Sequence, residues 1–421
     1  MNSLYSKTTF DNGLRILTER MPHVKSVSVG IWVTIGSRDE TESEAGLSHF
    51  IEHMTFKGTE RRDALQIAKE IDQIGGLANA FTSKECTCFH ARVMSDHLPR
   101  VVDLLTDIFL HSLFNSEDIN RERQVILQEI NMVEDFPDEH IHVLFGQNIW
   151  PGAALGQPVL GSVDTVSRLG RTEILQYLNK HYIPSKIIIA AAGDLDHQAF
   201  VDLIGPSLEV LPAADSNLVR KPPRVETGVN VTRKQLEQVH LCLGTPFPDA
   251  LDDRRYVAAM LNTILGGNMS SRLFQEIREK RGMAYVIYSF LSTYIDAGLL
   301  SIYAGVGQEQ TPEVVSLILA ELEKVRVGGL TESEIRSARD YLKGGIALNL
   351  ESTDNIMASL AKNESTYQRY ISYEEIMATI DRVTKDEIVG LADDYFQPEN
   401  LALTVLGDCS EKEIQSCLPA Q

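Results

Sequence analysis

The chain has 421 residues, 43% hydrophobic and 23% charged, the proportions of a soluble globular protein long enough for two or more domains. Its formal net charge of −20 argues against nucleic acid or an anionic membrane surface as a partner, since both need clustered Lys and Arg. Five cysteines, an odd number in a long chain, suggest no disulfide framework and fit a reducing compartment.

The opening stretch MNSLYSKTTFDNGLRILTERMP lacks a basic segment followed by an apolar core, so no signal peptide is expected. It predicts a strand, a turn at Asp11-Asn12-Gly13 and a second strand. VSVGIWVTIGS (27–37) alternates as a third strand, and a helix is expected from about Gly46. AKEIDQIGGLANAFT (68–82) reads as helix, glycine turn and strand. ERQVILQEINMVEDF (122–136) is an amphipathic helix with Val125, Ile126, Ile130 and Val133 at helical spacing. The longest apolar run, IIIAAA at 187–192, is far too short to span a membrane. With no organelle address visible, a bacterial cytoplasmic protein is expected.

A Pro-, Asp-, Ser- and Asn-rich stretch at 213–230 reads as a linker between halves 1–212 and 231–421. The halves look alike. QVHLCLGTPFP (238–248) and DRRYVAAMLNTILGG (253–267) repeat the strand and helix of the first half, the helix at an offset of about 209. FQEIREKRGMAYVIY (274–288) repeats the helix, glycine turn and strand of 68–82 at an offset of 206. Two related α+β units, each an antiparallel sheet with helices on one face, are the economical reading.

GLSHFIEHMTFKGT (46–59) holds two of the chain's 11 histidines four apart. On a helix His49 and His53 share a face, a common zinc-binding arrangement. Glu52 beside His53 can flank an ion without binding it and take a proton from an attacking water. The site needs a third ligand. Glu122 and Glu129, seven apart on one helical face, offer either a ligand and a partner for a histidine Nδ1–H, or a solvated face. Cys86, Cys88 and His90 alternate on a strand, as buried reduced cysteines or a second metal site.

HFIEHMTFKGT resembles the pitrilysin–insulinase family of zinc peptidases, the inverzincins, and especially their mitochondrial-processing-peptidase-like branch. The resemblance covers nearly the whole chain. It implies one Zn2+ on His49, His53 and Glu129, which lies 76 residues beyond His53. It implies Glu52 as the general base, with Glu122 supporting the site. NAFTSKECTCFHARV (79–93) resembles the strand on which such enzymes lay out substrate, so Asn79 and Ala80 are expected to bind peptide. Phe56 matches an aromatic bordering the pocket beyond the scissile bond, or packs in the core. Arg278 and Tyr285 match an arginine and tyrosine seven apart that complete the active site from the second half. In isolation they read as a surface Arg and a core Tyr. At the repeat offset, Ala258, Leu261 and Asn262 replace His49, Glu52 and His53, so the second half is expected to hold no metal.

The family likeness implies a clamshell around a chamber, open to short or unfolded peptides, with no separate catalytic subunit and a possible homodimer. Glu139 matches the first of two acids that select arginine near the cut, but Val143 replaces the second. A general oligopeptidase is therefore expected rather than a strict presequence protease. A non-catalytic peptide-binding or scaffold protein on the same fold is the alternative.

Overall fold

The computed structural model describes residues 4–214 and 218–417. The chain forms two compact units. The first takes Met1–Met132, Gln157–Arg220 and Leu348–Tyr370; the second takes Val133–Gly156, Lys221–Ala347 and Ile371–Gln421.

The first unit has a six-stranded sheet of β1 (Tyr5–Thr9), β2 (Arg15–Arg20), β3 (Ser26–Val33), β4 (Leu77–Thr82), β5 (Thr87–Met94) and β6 (Ile187–Gly193), ordered β1-β2-β6-β3-β5-β4. The second has β7 (Gly228–Thr232), β8 (Val239–Pro246), β9 (Ala284–Thr293), β10 (Gly298–Val306) and β11 (Ala402–Leu406), ordered β7-β11-β8-β10-β9. Setting β1 aside, the two orders superimpose strand for strand. β2 runs parallel to β6 as β7 does to β11, and every other pair is antiparallel. The α+β repeat expected from the chain is thus present, with one parallel pair in each sheet. β7 takes up the last residues of the stretch read as a linker.

The first helices in chain order are α1 (Leu47–Thr55), α2 (Ala64–Ile74), α3 (Leu98–His111), α4 (Ser116–Asp135) and α5 (Pro137–Ile149), the last of which belongs to the second unit. Both faces of each sheet are covered, not one. In the first unit Val27, Val29, Ile31, Ile187 and Ile189 pack against Ile67 of α2 and Leu104, Leu105 and Ile108 of α3. The opposite face, with Leu17, Trp32, Ile188 and Ala190, packs against Ile356, Met357 and Leu360 of the helix Thr353–Tyr367. Because both faces are dry, β3 and β6 are buried almost throughout, and IIIAAA is a central strand.

The second unit mirrors this. One face meets the helices Arg255–Leu265 and Thr311–Arg326. The other, with Cys242, Leu299, Tyr303 and Ala402, meets Ile141, Phe145 and Ile149 of α5. Gly244 of β8 makes room there, since a Cβ would lie 2.5 Å from the Phe145 ring. Each unit therefore borrows a helix from the other sequence half, and the chain-order division 1–212 and 231–421 does not follow the compact units. Phe145 is 4% exposed. Phe145→Ala is expected to cost about 3–5 kcal/mol, read as a lower denaturant midpoint of unfolding; an unchanged midpoint would show that α5 adds no stability.

The repeat extends to single bonds. Arg123 of α4 donates to the carbonyls of Val166 and Leu169, at the end of the helix Val163–Arg168. Arg339, 216 residues on, donates to those of Ile380 and Val383, at the end of the helix Tyr373–Arg382.

Candidate metal centre

α1 is set by its start. Gly46 has φ +92°, and a Cβ there would meet the Leu160 carbonyl at 2.6 Å. Glu40 accepts from the Gly46 and Ser48 amides at 2.8 and 2.6 Å, satisfying donors that a helix start leaves open. The loop before it is fixed as well. Asp39 accepts from the Gly36 amide at 3.0 Å and from Arg220, at the end of the linker side of this unit, at 2.7 and 2.8 Å.

Leu47, Phe50, Ile51 and Met54 bury one face of α1 against Val33, Ile35 and the Ile119, Ile126 and Ile130 stripe of α4. This burial leaves His49, Glu52 and His53 on the other face, each half-buried. The α4 stripe differs from expectation. Val125 is exposed and Val133 half-buried, because Ile119, Ile126 and Ile130 take the single row that faces α1. That row turns Glu122 and Glu129 toward the histidines.

Glu129 Oε2 lies 3.8 Å from His49 Nε2 and 3.6 Å from His53 Nε2. The three ligand atoms fall within 4.8 Å of one another, and among the described residues no other group of three His, Cys, Asp or Glu does so. Zinc binds N and O ligands at about 2.0–2.2 Å in a tetrahedron, whose corners are then about 3.4 Å apart, so this set fits zinc. Burial, and then the neighbouring His53, push His49 down to about 4, so its ring is neutral at neutral pH and keeps a lone pair for a metal. Three protein ligands match a catalytic site with an open position better than a closed structural one.

Glu122, 5% exposed, sits behind His53, its Oε2 3.2 Å from Nδ1. Lys57 Nζ holds the other oxygen of Glu122 at 2.8 Å. This order fixes the tautomer that leaves His53 Nε2 free to bind. The sequence reading missed Lys57, although it stands four residues beyond His53 on the same turn of chain. Glu122→Gln is expected to weaken zinc binding about 10–100-fold, with Lys57→Met moving it the same way by less. Competition titration against a chelator reads both, and wild-type affinity in Glu122→Gln would remove this role.

Glu52 is half-buried, and that burial raises its carboxyl above the ordinary range, opposed by a hydrogen bond from Thr82. The Thr82 hydroxyl donates to Glu52 Oε2 at 2.6 Å. Thr82, the last residue of β4, was also missed; no local pattern ties it to a residue 30 positions earlier.

The other expected residues fall as follows. β4 is an edge strand, pairing with β5 alone. On it Asn79 is exposed, with Oδ1 accepting from the Ala80 amide at 2.9 Å, and Ala80 is buried. Phe56 packs, partly buried, against the core under α2 and α3. Cys88 is buried, Cys86 and His90 are half-buried, and the cysteines are free thiols. Burial pushes the Cys88 thiol well up. Arg278 and Tyr285 lie in the second unit. The Arg278 guanidinium stacks 4.5 Å from the Phe274 ring and 5.3 Å from the Tyr285 ring, and Tyr285 is 76% exposed. Glu139 on α5 is exposed, and Val143 half-buried.

The second unit lacks the ligands. Ala258 and Leu261 are buried, and Asn262 Oδ1 accepts from the Ser289 hydroxyl at 2.7 Å. At the Arg123–Arg339 offset, Ala338 and Gly345 stand for Glu122 and Glu129.

The family model "Insulinase (Peptidase family M16)" matches residues 15–163, and "Peptidase M16 inactive domain" matches 168–342. The chain belongs to this family. An uncharacterized zinc protease of Streptomyces coelicolor is 41% identical over 97% of this chain and 90% of its own length. One from Bacillus subtilis is 36% identical over 96% and 98%. A protease from Helicobacter pylori shares the fold, with a TM-score of 0.89 at 20% identity over 96% of this chain and 99% of its own. The word "inactive" in the second model falls on the half without ligands. Among the described residues no helix is long and apolar enough to cross a membrane.

Proposed function

We propose that the protein is a zinc-dependent endopeptidase acting on short or unfolded peptides. The observation that carries this reading is the meeting of His49 and His53 of α1 with Glu129 of α4, with Glu52 beside them outside the ligand set. A scaffold protein that had lost catalysis would need none of these four residues. Zinc held there supplies Lewis acidity, polarising the scissile carbonyl and acidifying the attacking water.

The chain's own residues do the rest. β4 offers a free edge to which a peptide adds as a further strand, by main-chain hydrogen bonds that need little sequence preference. The side chains of Leu77, Asn79 and Phe81 stand exposed along it. Glu52 takes the proton of the attacking water and passes it to the departing amine. Glu122 keeps His53 oriented. With Val143 in place of the second selecting acid, cleavage is not tied to arginine.

The test is a mixed pool of quenched peptides of about 8–20 residues, with metal analysis of the same protein. Cleavage by a protein holding about one zinc, at sites with no shared arginine, supports the reading. Zinc without cleavage of any peptide sinks it.

A further inference from the structure

Thr82 ends the edge strand β4, and its hydroxyl donates to Glu52 Oε2 at 2.6 Å. The chain that follows it is tied down by backbone hydrogen bonds. The Ser37 amide donates to the Ser83 carbonyl at 3.0 Å and the Arg38 amide to the Lys84 carbonyl at 2.9 Å. Ser83 N–H closes a turn onto the Cys86 carbonyl at 2.8 Å, and Thr82 pairs with Thr87 of β5. Thr82 is β-branched, so its hydroxyl has few positions once the backbone is set.

A carboxylate on a helix surface can swing through several rotamers, and a base must face the proton it takes. The Thr82 hydroxyl caps Oε2, and the Thr82 backbone also favours the ionised carboxyl, so the carboxylate is held from the β4 side. We propose that Thr82 is a positioning residue for Glu52, so that the strand to which substrate adds also orients the base. This inference rests on the peptidase reading above and adds to it a coupling between the substrate edge and the proton-transfer group. No bond is made or broken at Thr82; its hydroxyl hydrogen stays on its own oxygen.

Thr82→Val keeps the shape of the side chain and removes only the donor; Thr82→Ser keeps the donor and removes a methyl. Cleavage of a peptide cut by the wild type, with zinc content and melting temperature measured on the same samples, tests the assignment. The expected result is a fall in kcat of roughly 10- to 100-fold in Thr82→Val, the scale of one hydrogen bond to a charged group. KM, zinc content and melting temperature stay near wild type, and Thr82→Ser recovers most of kcat. Undiminished kcat in Thr82→Val overturns the assignment, as does a Thr82→Ser variant as impaired as the valine. A loss of zinc in Thr82→Val also overturns it, since the residue would then serve the metal. A wild type that cuts nothing overturns the peptidase reading and this one with it; the other outcomes overturn this one alone.

Discussion

Glu52→Gln is expected to lower kcat by about 10²–10⁴-fold while the protein keeps its full zinc content. The substitution preserves volume and leaves an amide oxygen to accept from Thr82, so α1 and β4 stay in place. His49, His53 and Glu129 are untouched, so the ion stays. What disappears is the only carboxylate on the ligand-bearing face of α1, and with it the acceptor for the water proton. Cleavage kinetics and metal analysis on one preparation decide the point. Equal cutting by both proteins would place the base elsewhere, and loss of zinc in the variant would make Glu52 a ligand.

Glu129→Ala is expected to lose zinc more severely than Glu122→Gln, because it removes a ligand rather than a ligand's support. Activity should fall to background, and zinc added at concentrations that saturate the wild type should not restore it. The fold should survive. α1 is held by Leu47, Phe50, Ile51 and Met54 in a dry cluster that includes no metal ligand. Chelator-treated wild type should therefore stay folded, melt somewhat lower, and recover when zinc is returned. Bound zinc at a hundred times its dissociation constant is worth only about 2.7 kcal/mol of stability. Global unfolding of either protein by metal loss would show that the ion is structural.

Local pattern made much of this legible. The hairpin at Asp11-Asn12-Gly13 has its turn chemistry written in three residues, and α1 its ligands at i and i+4. The pairing of α1 with Glu129 came from family spacing, since nothing local connects residues 76 positions apart. Periodicity placed the face of α4 only roughly: Val125 is as apolar as Ile126 but points to solvent, because the partner helix decides which row is buried. Thr82 and Lys57 were invisible for a similar reason, as each acquires its role only from a side chain that folding brings to it. The exchanged helices left no signal at all. Ile356, Met357 and Leu360 look like any amphipathic stripe, and a stripe does not name the sheet it will cover.

That exchange sets the order in which the molecule can be made. When the ribosome has finished β6, every strand of the first sheet exists, yet the surface around Leu17, Trp32, Ile188 and Ala190 stays wet until residue 367 has emerged. The unit that holds the candidate metal site is thus incomplete until well into the synthesis of the second half. A nascent chain cut short before the helix Thr353–Tyr367 would expose a wide oily sheet, the sort of surface that chaperones bind and aggregates grow from. Dividing the gene at residue 212 would yield two products that each lack a wall, whereas exchanging the segments 133–156 and 348–370 between the fragments would return to each sheet its missing cover.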